Sequence, residues 1–208
     1  MFMFRQTWPA QLLLMLACTG VVQARDAPVR SLIEIRQANV VMQKWDLSCG
    51  AAALTTLLNH HHGEILTEKE VAVALMQRPE YINHPELIRI REGFSLLDLK
   101  RFVEGRGYKG VGFGKMTLDA LVDKAPLLVP IRANGYNHFV VFRGTRGDRV
   151  LLADPAWGNR TMSKAQFEDS WIDYPQIGRV GFVVLRADGS HPAVSELAPR
   201  DEEFVSLY

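Results

Sequence analysis

The chain has 208 residues, 48% of them apolar and 23% charged, with a formal net charge of +1. That length fits one domain with tails, and the composition is that of a globular protein. The near-neutral balance supplies no global field for nucleic acid or an anionic surface, so no nucleic-acid partner is expected.

The first residues read as a targeting segment. Arg5 gives a short positive start, and residues 12–22 are apolar apart from Thr19 and Gly20. The run is too short for an ordinary membrane span, and Val22-Gln23-Ala24 offers small residues to a signal peptidase. The expected organisation is a signal peptide at 1–24, a domain at 25–186 and a polar C-terminal tail at 187–208. Cys18 is a poor lipidation site because Leu16 is too bulky for the usual pattern. Removing the signal leaves one cysteine, Cys49. A lone thiol outside the cytoplasm forms no internal disulfide and is open to oxidation. Most such cysteines are small buried hydrophobes, so the surroundings of Cys49 must decide its role.

In chain order, residues 25–41 read as an irregular lead-in with one strand. Ser48 stands before an Ala- and Leu-rich helix that starts at Cys49 and stops at Gly63. Thr67 and Glu70 form a capping box for a second helix to about Gln77. Residues 78–92 read as a loop with two prolines and His84. Ser95 caps a helix over 96–104, and Thr117 a short one to about Lys124. The period then changes. Residues 127–133, 138–143 and 149–153 are apolar strand-like runs separated by turn signals at Asn134-Gly135 and at 145–148. Ser163 opens a helix to about Trp171, and residues 181–185 form a last strand. Helices first and an antiparallel sheet afterwards indicate an α+β domain.

Cys49 lies in the first turn of its helix, where unpaired N–H groups and the macrodipole favour a thiolate over a thiol. Gly50 leaves room beside it for a substrate carbonyl. A thiol nucleophile needs a base within hydrogen-bond reach. His60, His61 and His62 lie on the same helix, roughly 15 Å from Cys49 at about 1.5 Å per residue, and read as a polar helix end in preference to a metal site. His84 is in a loop and His191 in the tail. His138 begins a strand directly after a turn, where a strand end faces a cleft. Asp154 ends the next strand, and the hairpin sets it beside His138, where it can accept from the imidazole and fix its tautomer. The alternative for Asp154 is an ordinary Asp-Pro turn, since Pro155 follows. Gln43, six residues before Cys49, can offer a side-chain amide to an oxyanion; by spacing alone it is equally a surface glutamine. No metal or cofactor is implied.

These stretches together resemble a known family. Gln43-Lys-Trp-Asp-Leu-Ser-Cys49-Gly-Ala-Ala-Ala-Leu is similar to the nucleophile motif of the double-glycine-leader (bacteriocin-processing type) cysteine peptidases. Gly93-Phe-Ser95-Leu96-Leu-Asp-Leu99-Lys resembles the family's middle helix. Asn137-His138-Phe139-Val140-Val141 and Asp154-Pro155-Ala-Trp157-Gly158 resemble its His and Asp-Pro motifs, and Phe167 and Trp171 fit its closing helix. The likeness spans about residues 36–186. It implies a papain-like fold, a Cys49–His138–Asp154 triad and Gln43 as the oxyanion donor.

One departure is Ser48, where the exporter enzymes carry aspartate. With its signal peptide and "SCGAAAL" form, the chain resembles the stand-alone, exported branch, the peptidase component of Fap-type functional-amyloid secretion systems. The resemblance implies a periplasmic cysteine endopeptidase working through a thioester. Its partners would be a polypeptide substrate, an amyloid subunit or secretion component, and membrane-associated secretion machinery. Cleavage after a Gly-Gly leader transfers only weakly, because the exporter enzymes act on the cytoplasmic side whereas this chain is expected to act outside it. Two other classes share this layout: a non-catalytic leader- or substrate-binding module, whose usual mark is loss of the cysteine, and a thiol acyl-transferase or cell-wall amidase.

Overall fold

A computed structural model describes residues 30–207; the expected signal peptide and Cys18 lie outside the described residues. The chain opens with a helix, not a strand: α1 (Leu32–Gln37) is closed at its start by a Ser31/Glu34 capping box. α2 (Cys49–His62) follows, and its Ala51, Ala52, Ala53, Leu54, Leu57 and Leu58 are fully buried, so the helix is enclosed on nearly every side. α3 (Glu68–Met76) carries the expected Thr67/Glu70 box. The Pro-containing stretch holds two short helices, α4 (Pro79–Asn83) and α5 (Glu86–Ile90). Pro79 sits at the first helical position, where it lacks only an N–H that would be unpaired anyway. α6 (Leu96–Gly105) has Ser95 and Asp98 as its capping pair.

After β1 (Lys109–Phe113) and α7 (Leu118–Lys124) come β2 (Leu127–Ala133), β3 (Tyr136–Arg146), β4 (Arg149–Asp154) and β5 (Gly158–Ser163). α8 (Lys164–Ser170), the small β6 (Asp173–Tyr174) and β7 (Gly178–Arg179), β8 (Gly181–Leu185) and α9 (Asp201–Ser206) complete the chain. The main sheet has the order β1-β8-β2-β3-β4-β5, and its paired neighbours are antiparallel. The domain is therefore α+β, as the element order predicts. Alternation along the strands feeds two cores. Leu128, Val141, Ala153 and Phe182 pack with α2, α3 and α6 on one face. Leu127, Val129, Val140, Phe142 and Leu152 pack with Leu121 of α7 and Phe167 and Trp171 around α8 on the other. Both faces being covered, these strands read as continuous apolar runs.

The segment after Leu185, expected as an appended polar tail, is docked on the domain. Leu197, Phe204 and Leu207 are buried. The buried Arg143 guanidinium on β3 is closed by both Glu203 oxygens at 2.7 and 3.0 Å, by Leu197 O at 2.9 Å and by Asn159 Oδ1 at 2.7 Å. A charge so far from water persists only when its donors are matched in this way. The sequence conceals this, because the stabilising residue is an acid that reads as solvent-facing.

One irregularity positions the site. Between Phe142 and Gly144 the β3–β4 register shifts, with Gly144↔Leu151 on one side and Phe142↔Leu152 on the other. This is a β-bulge, and it moves the distal pairing by one residue. Beyond it, Val141 faces Ala153, so the next step sets Asp154 opposite Val140, on the same side of the ladder as His138. Unshifted pairing would set Asp154 opposite Val141 and send its side chain to the other face. Gly144 permits the bulge with φ +153°, and a Cβ there would lie 2.9 Å from Pro199.

Candidate active site

Cys49 is the first residue of α2 and is buried. Ser48 stands at the N-cap position, but its hydroxyl does not cap the helix. It donates instead to Trp45 O at 2.6 Å and to Glu68. The amides of the first turn, Cys49 among them, are therefore not closed by a side-chain cap and remain available to an anion. Glu68, 3% exposed, also receives Lys44 N at 3.1 and 3.0 Å on its two oxygens. The loop that brings Gln43 to Cys49 is thus held on a buried carboxylate. Sequence reasoning missed Glu68, because an acid within a capping stretch looks the same whether it faces water or the interior.

His138 and Asp154 meet as the hairpin predicts. Nε2–H of His138 donates to Asp154 Oδ1 at 2.7 Å, and the ring lines the same cleft as Cys49, which adds to the favouring of its charged form. Asp154 is fully buried. Its Oδ1 also accepts from Ala156 N at 2.9 Å, and its Oδ2 accepts from Arg160 Nε at 2.8 Å. Burial works against charge on this carboxyl, yet the bonds and charges of His138 and Arg160 hold it below the usual carboxylate range. Burial likewise opposes the His138 imidazolium. The Asp154 and Cys49 contacts more than offset it, and the His138 pKa is raised to about 9. The site therefore favours the imidazolium, and the bond to Asp154 fixes the orientation of the ring.

Gln43 lines the same cleft, of about 430 Å3, with Leu47, Cys49, Glu92 and His138. Its backbone N–H donates to Pro155 O at 2.9 Å, which ties the loop to the turn after Asp154. Its side-chain N–H reaches Trp45 O only at 3.5 Å, and its buried Oε1 has no partner. The side-chain amide is therefore only weakly engaged in the cleft that Cys49 also lines. Glu92 forms part of the wall by accepting from Asn137 N at 2.9 Å. Gly93 beside it, at φ +122°, allows that loop to press on the approach to α2, where a Cβ would stand 2.8 Å from Leu47 O. Gly50, expected to make room for a substrate carbonyl, is pressed on the core side instead, since a Cβ there would meet the Phe139 ring at 3.2 Å.

Two further cavities continue the cleft. One of about 450 Å3, lined by Trp45, Leu47, Val73, Met76 and Phe94, joins it at Asp46 and Leu47. Another of about 440 Å3, lined by Phe94, Leu96, Phe139, Ile177 and Val180, joins it at Glu92, Asn137 and His138. Phe94 lines both of these cavities, so the space beside the Cys49 cleft is largely apolar.

The remaining histidines lie elsewhere. His60 pairs with Glu196 at 2.7 Å, His62 Nε2–H donates to Val184 O at 3.1 Å, and His84 lies 3.2 Å from Glu86. His61 is 6% exposed and stacks beside His191, with ring centroids 5.8 Å apart. The three-histidine run is therefore a seat for the C-terminal segment and not a polar helix end. Among the described residues no group of three or more His, Cys, Asp or Glu is placed to hold a metal ion, and no helix is long and apolar enough to cross a membrane.

A thiol at a helix start, an imidazole on a strand and a carboxylate on the neighbouring strand define the papain-like class of α+β domains. Within it, residues 37–175 match the Peptidase C39 family, and the chain belongs to that family. It is 38% identical over 143 residues to "Probable functional amyloid protease FapD" of Pseudomonas aeruginosa, and 38% identical over 144 residues to the protein of that name from Pseudomonas fluorescens. Each alignment covers 69% of this chain and 61% of the relative, so the chain spans about three fifths of the length of these relatives. Among solved structures, the fold is similar to a double glycine motif protease from an AMS/PCAT transporter in complex with the leader peptide, with TM-score 0.54, 21% identity, and 71% of this chain and 90% of the other covered. It is also similar to the peptidase domain of Streptococcus ComA, with TM-score 0.56, 18% identity, and 71% and 97% covered.

Proposed function

We propose that the protein is a cysteine endopeptidase that hydrolyses a polypeptide through a thioester acyl-enzyme. The observation that carries this is that Cys49, at the start of α2, shares its cleft with His138, whose ring donates to the buried Asp154. Cys49 sulfur, with its proton passed to His138, attacks the scissile carbonyl carbon. The oxyanion that forms is met by the Gln43 amide and the Cys49 backbone N–H. The C–N bond breaks as His138 gives its proton to the leaving amine. A water then attacks the thioester while His138 takes a proton from it. The acid product leaves and the thiol is restored. Asp154 keeps the imidazole oriented and supports its charge, without itself taking the proton.

The apolar cavities that adjoin the cleft suit a polypeptide with apolar side chains near the cut. The FapD names of the Pseudomonas relatives favour a substrate in functional-amyloid export, either a subunit or a component of its secretion machinery. The apolar run at residues 12–22 supports export to the periplasm. Intact Cys49, His138, Asp154 and Gln43 favour catalysis over a module that only holds a leader.

The deciding experiment is turnover of a peptide library, with mass spectrometry of the acylated protein. The wild-type chain should accumulate a thioester at Cys49, and Cys49→Ala should lose turnover entirely while keeping its melting curve. Cleavage by purified Cys49→Ala, or wild-type protein that holds peptides and never cuts them, overturns the reading.

A further inference from the structure

Behind the acid of the triad lies a second recess, of about 580 Å3, walled by the end of α1, β2, β5 and α8. It shares no lining residue with the cleft. Its wall carries Arg36, Arg132 and Arg160 and no aspartate or glutamate. That is a local excess of positive charge in a chain whose bases and acids nearly balance, at 24 and 23. Arg160 commits Nε to Asp154, which leaves the other edge of its guanidinium fork to donate elsewhere. Arg36 and Arg132 are exposed, and among the described residues neither makes a salt bridge or side-chain hydrogen bond. Arg160 is paired with Asp154, whereas Arg36 and Arg132 line the concavity without a counter-charge, which an anion seated there would supply.

The remaining wall narrows the choice of anion. Asn134 adds a side-chain amide, Gln166 has its Nε2 left to donate while its Oε1 accepts from Ser163 N, and Trp157, 59% exposed, adds an aromatic face. A planar guanidinium fork matches a carboxylate in two parallel hydrogen bonds. Amide groups alongside suit the backbone that carries it. A recess admits a chain, whereas a bilayer needs a flat or protruding face. We propose that this recess is a docking site for an acidic stretch of a polypeptide, bound through its side-chain carboxylates, separate from the cleft that holds the scissile bond. The site lies one hydrogen bond from the triad through Arg160, so an occupant is held close to the reacting centre without entering it.

The inference does not depend on catalysis and is tested in full-chain Cys49→Ala. The probe is fluorescein-labelled hexaglutamate, followed by anisotropy, with a labelled Gly-Ser hexamer as the neutral control. Hexaglutamate should bind saturably and the Gly-Ser peptide should not. Adding Arg36→Glu and Arg132→Glu should weaken binding roughly ten-fold or more, whereas Arg89→Glu with Arg101→Glu, the same charge change on exposed arginines elsewhere, should alter it by less than about two-fold. Melting curves report whether each variant is folded. If the glutamate pair unfolds the chain, Arg36→Gln with Arg132→Gln decides, and should weaken binding in the same direction. The proposal falls if hexaglutamate does not bind. It falls if both pairs of substitutions weaken binding equally, which would indicate a general field. It falls also if vesicles of phosphatidylglycerol bind through Arg36 and Arg132 while hexaglutamate does not.

Discussion

His138 and His61 are both largely withdrawn from water, yet they lie at opposite ends of the titration scale. His138 is raised to about 9 and His61 lowered to about 4. Burial acts in the same sense on both, against the imidazolium. His61 has nothing to oppose it. Neither ring nitrogen has a hydrogen-bond partner, and His62, His191 and Arg186 add like charge. His138 has Asp154 and Cys49 to favour its charged form. A chain can therefore make an inert imidazole or a charged one from the same residue, and what decides is one buried carboxylate.

The sharpest way to break the contrast is to remove that carboxylate's charge. Asp154→Asn keeps the shape and should cost about 10³- to 10⁴-fold in kcat/KM. By NMR titration His138 should drop from about 9 to its ordinary value or below, which makes it resemble His61. A His138 that still titrates near 9 in this variant would remove Asp154 from the account.

A second test uses a cation that cannot give up its proton. Arg143 lies as deep as either histidine and depends on Glu203 in the way that His138 depends on Asp154. Glu203→Gln should lower stability by about 3–5 kcal/mol in chemical denaturation, because it leaves a buried charge short of its counter-charge. The activity per folded molecule should stay near wild type.

Stability against pH separates the two histidines by sign. His138 has a folded pKa above its ordinary 6.5, so the fold gains from its proton. That contribution is complete below about 6.5 and disappears as pH rises to about 9. His61 has a folded pKa below 6.5, so the fold favours its neutral form. Its contribution is complete above about 6.5 and is lost as pH falls towards 4. Denaturation midpoints across this range should therefore fall on both sides, and Asp154→Asn should flatten the alkaline limb alone. Catalysis should share the alkaline limit, with kcat declining around pH 9 as His138 loses its proton.

The smallest expected effect is at His61 itself. His61→Leu should remove part of the acid limb and change stability at neutral pH by less than about 1.5 kcal/mol, because it exchanges one buried side chain of similar size for another. Activity should not move. A loss of turnover in this variant would tie the seat of the C-terminal segment to the cleft.

The convergence of Cys49, His138 and Asp154 was legible because the three residues stand at boundaries the sequence marks. Cys49 opens a helix after Ser48, His138 follows a turn, and Asp154 precedes Pro155. The supports were not legible. Glu68, Glu92 and Arg160 carry charges that read as solvent-facing, and nothing in the local pattern says that one buries, one ties a loop and one grips the triad acid. The sheet was read well at its centre and poorly at its edges. β2, β3 and β4 are apolar on both faces, whereas β1 holds Gly110 and Gly112 and β5 is largely polar, as edge strands are. The bulge at Gly144 was hidden as well, because a register shift depends on how two strands meet and not on either one alone.

The C-terminal wrap has a consequence for what counts as the unit. The stretch shared with the family ends at residue 175, yet β8 (Gly181–Leu185) is an interior strand between β1 and β2, and Arg143 finds its counter-ion in α9. A fragment cut at the limit of homology would be missing a plank from the middle of its floor. Swapping this domain into another protein therefore means carrying the chain through Leu207.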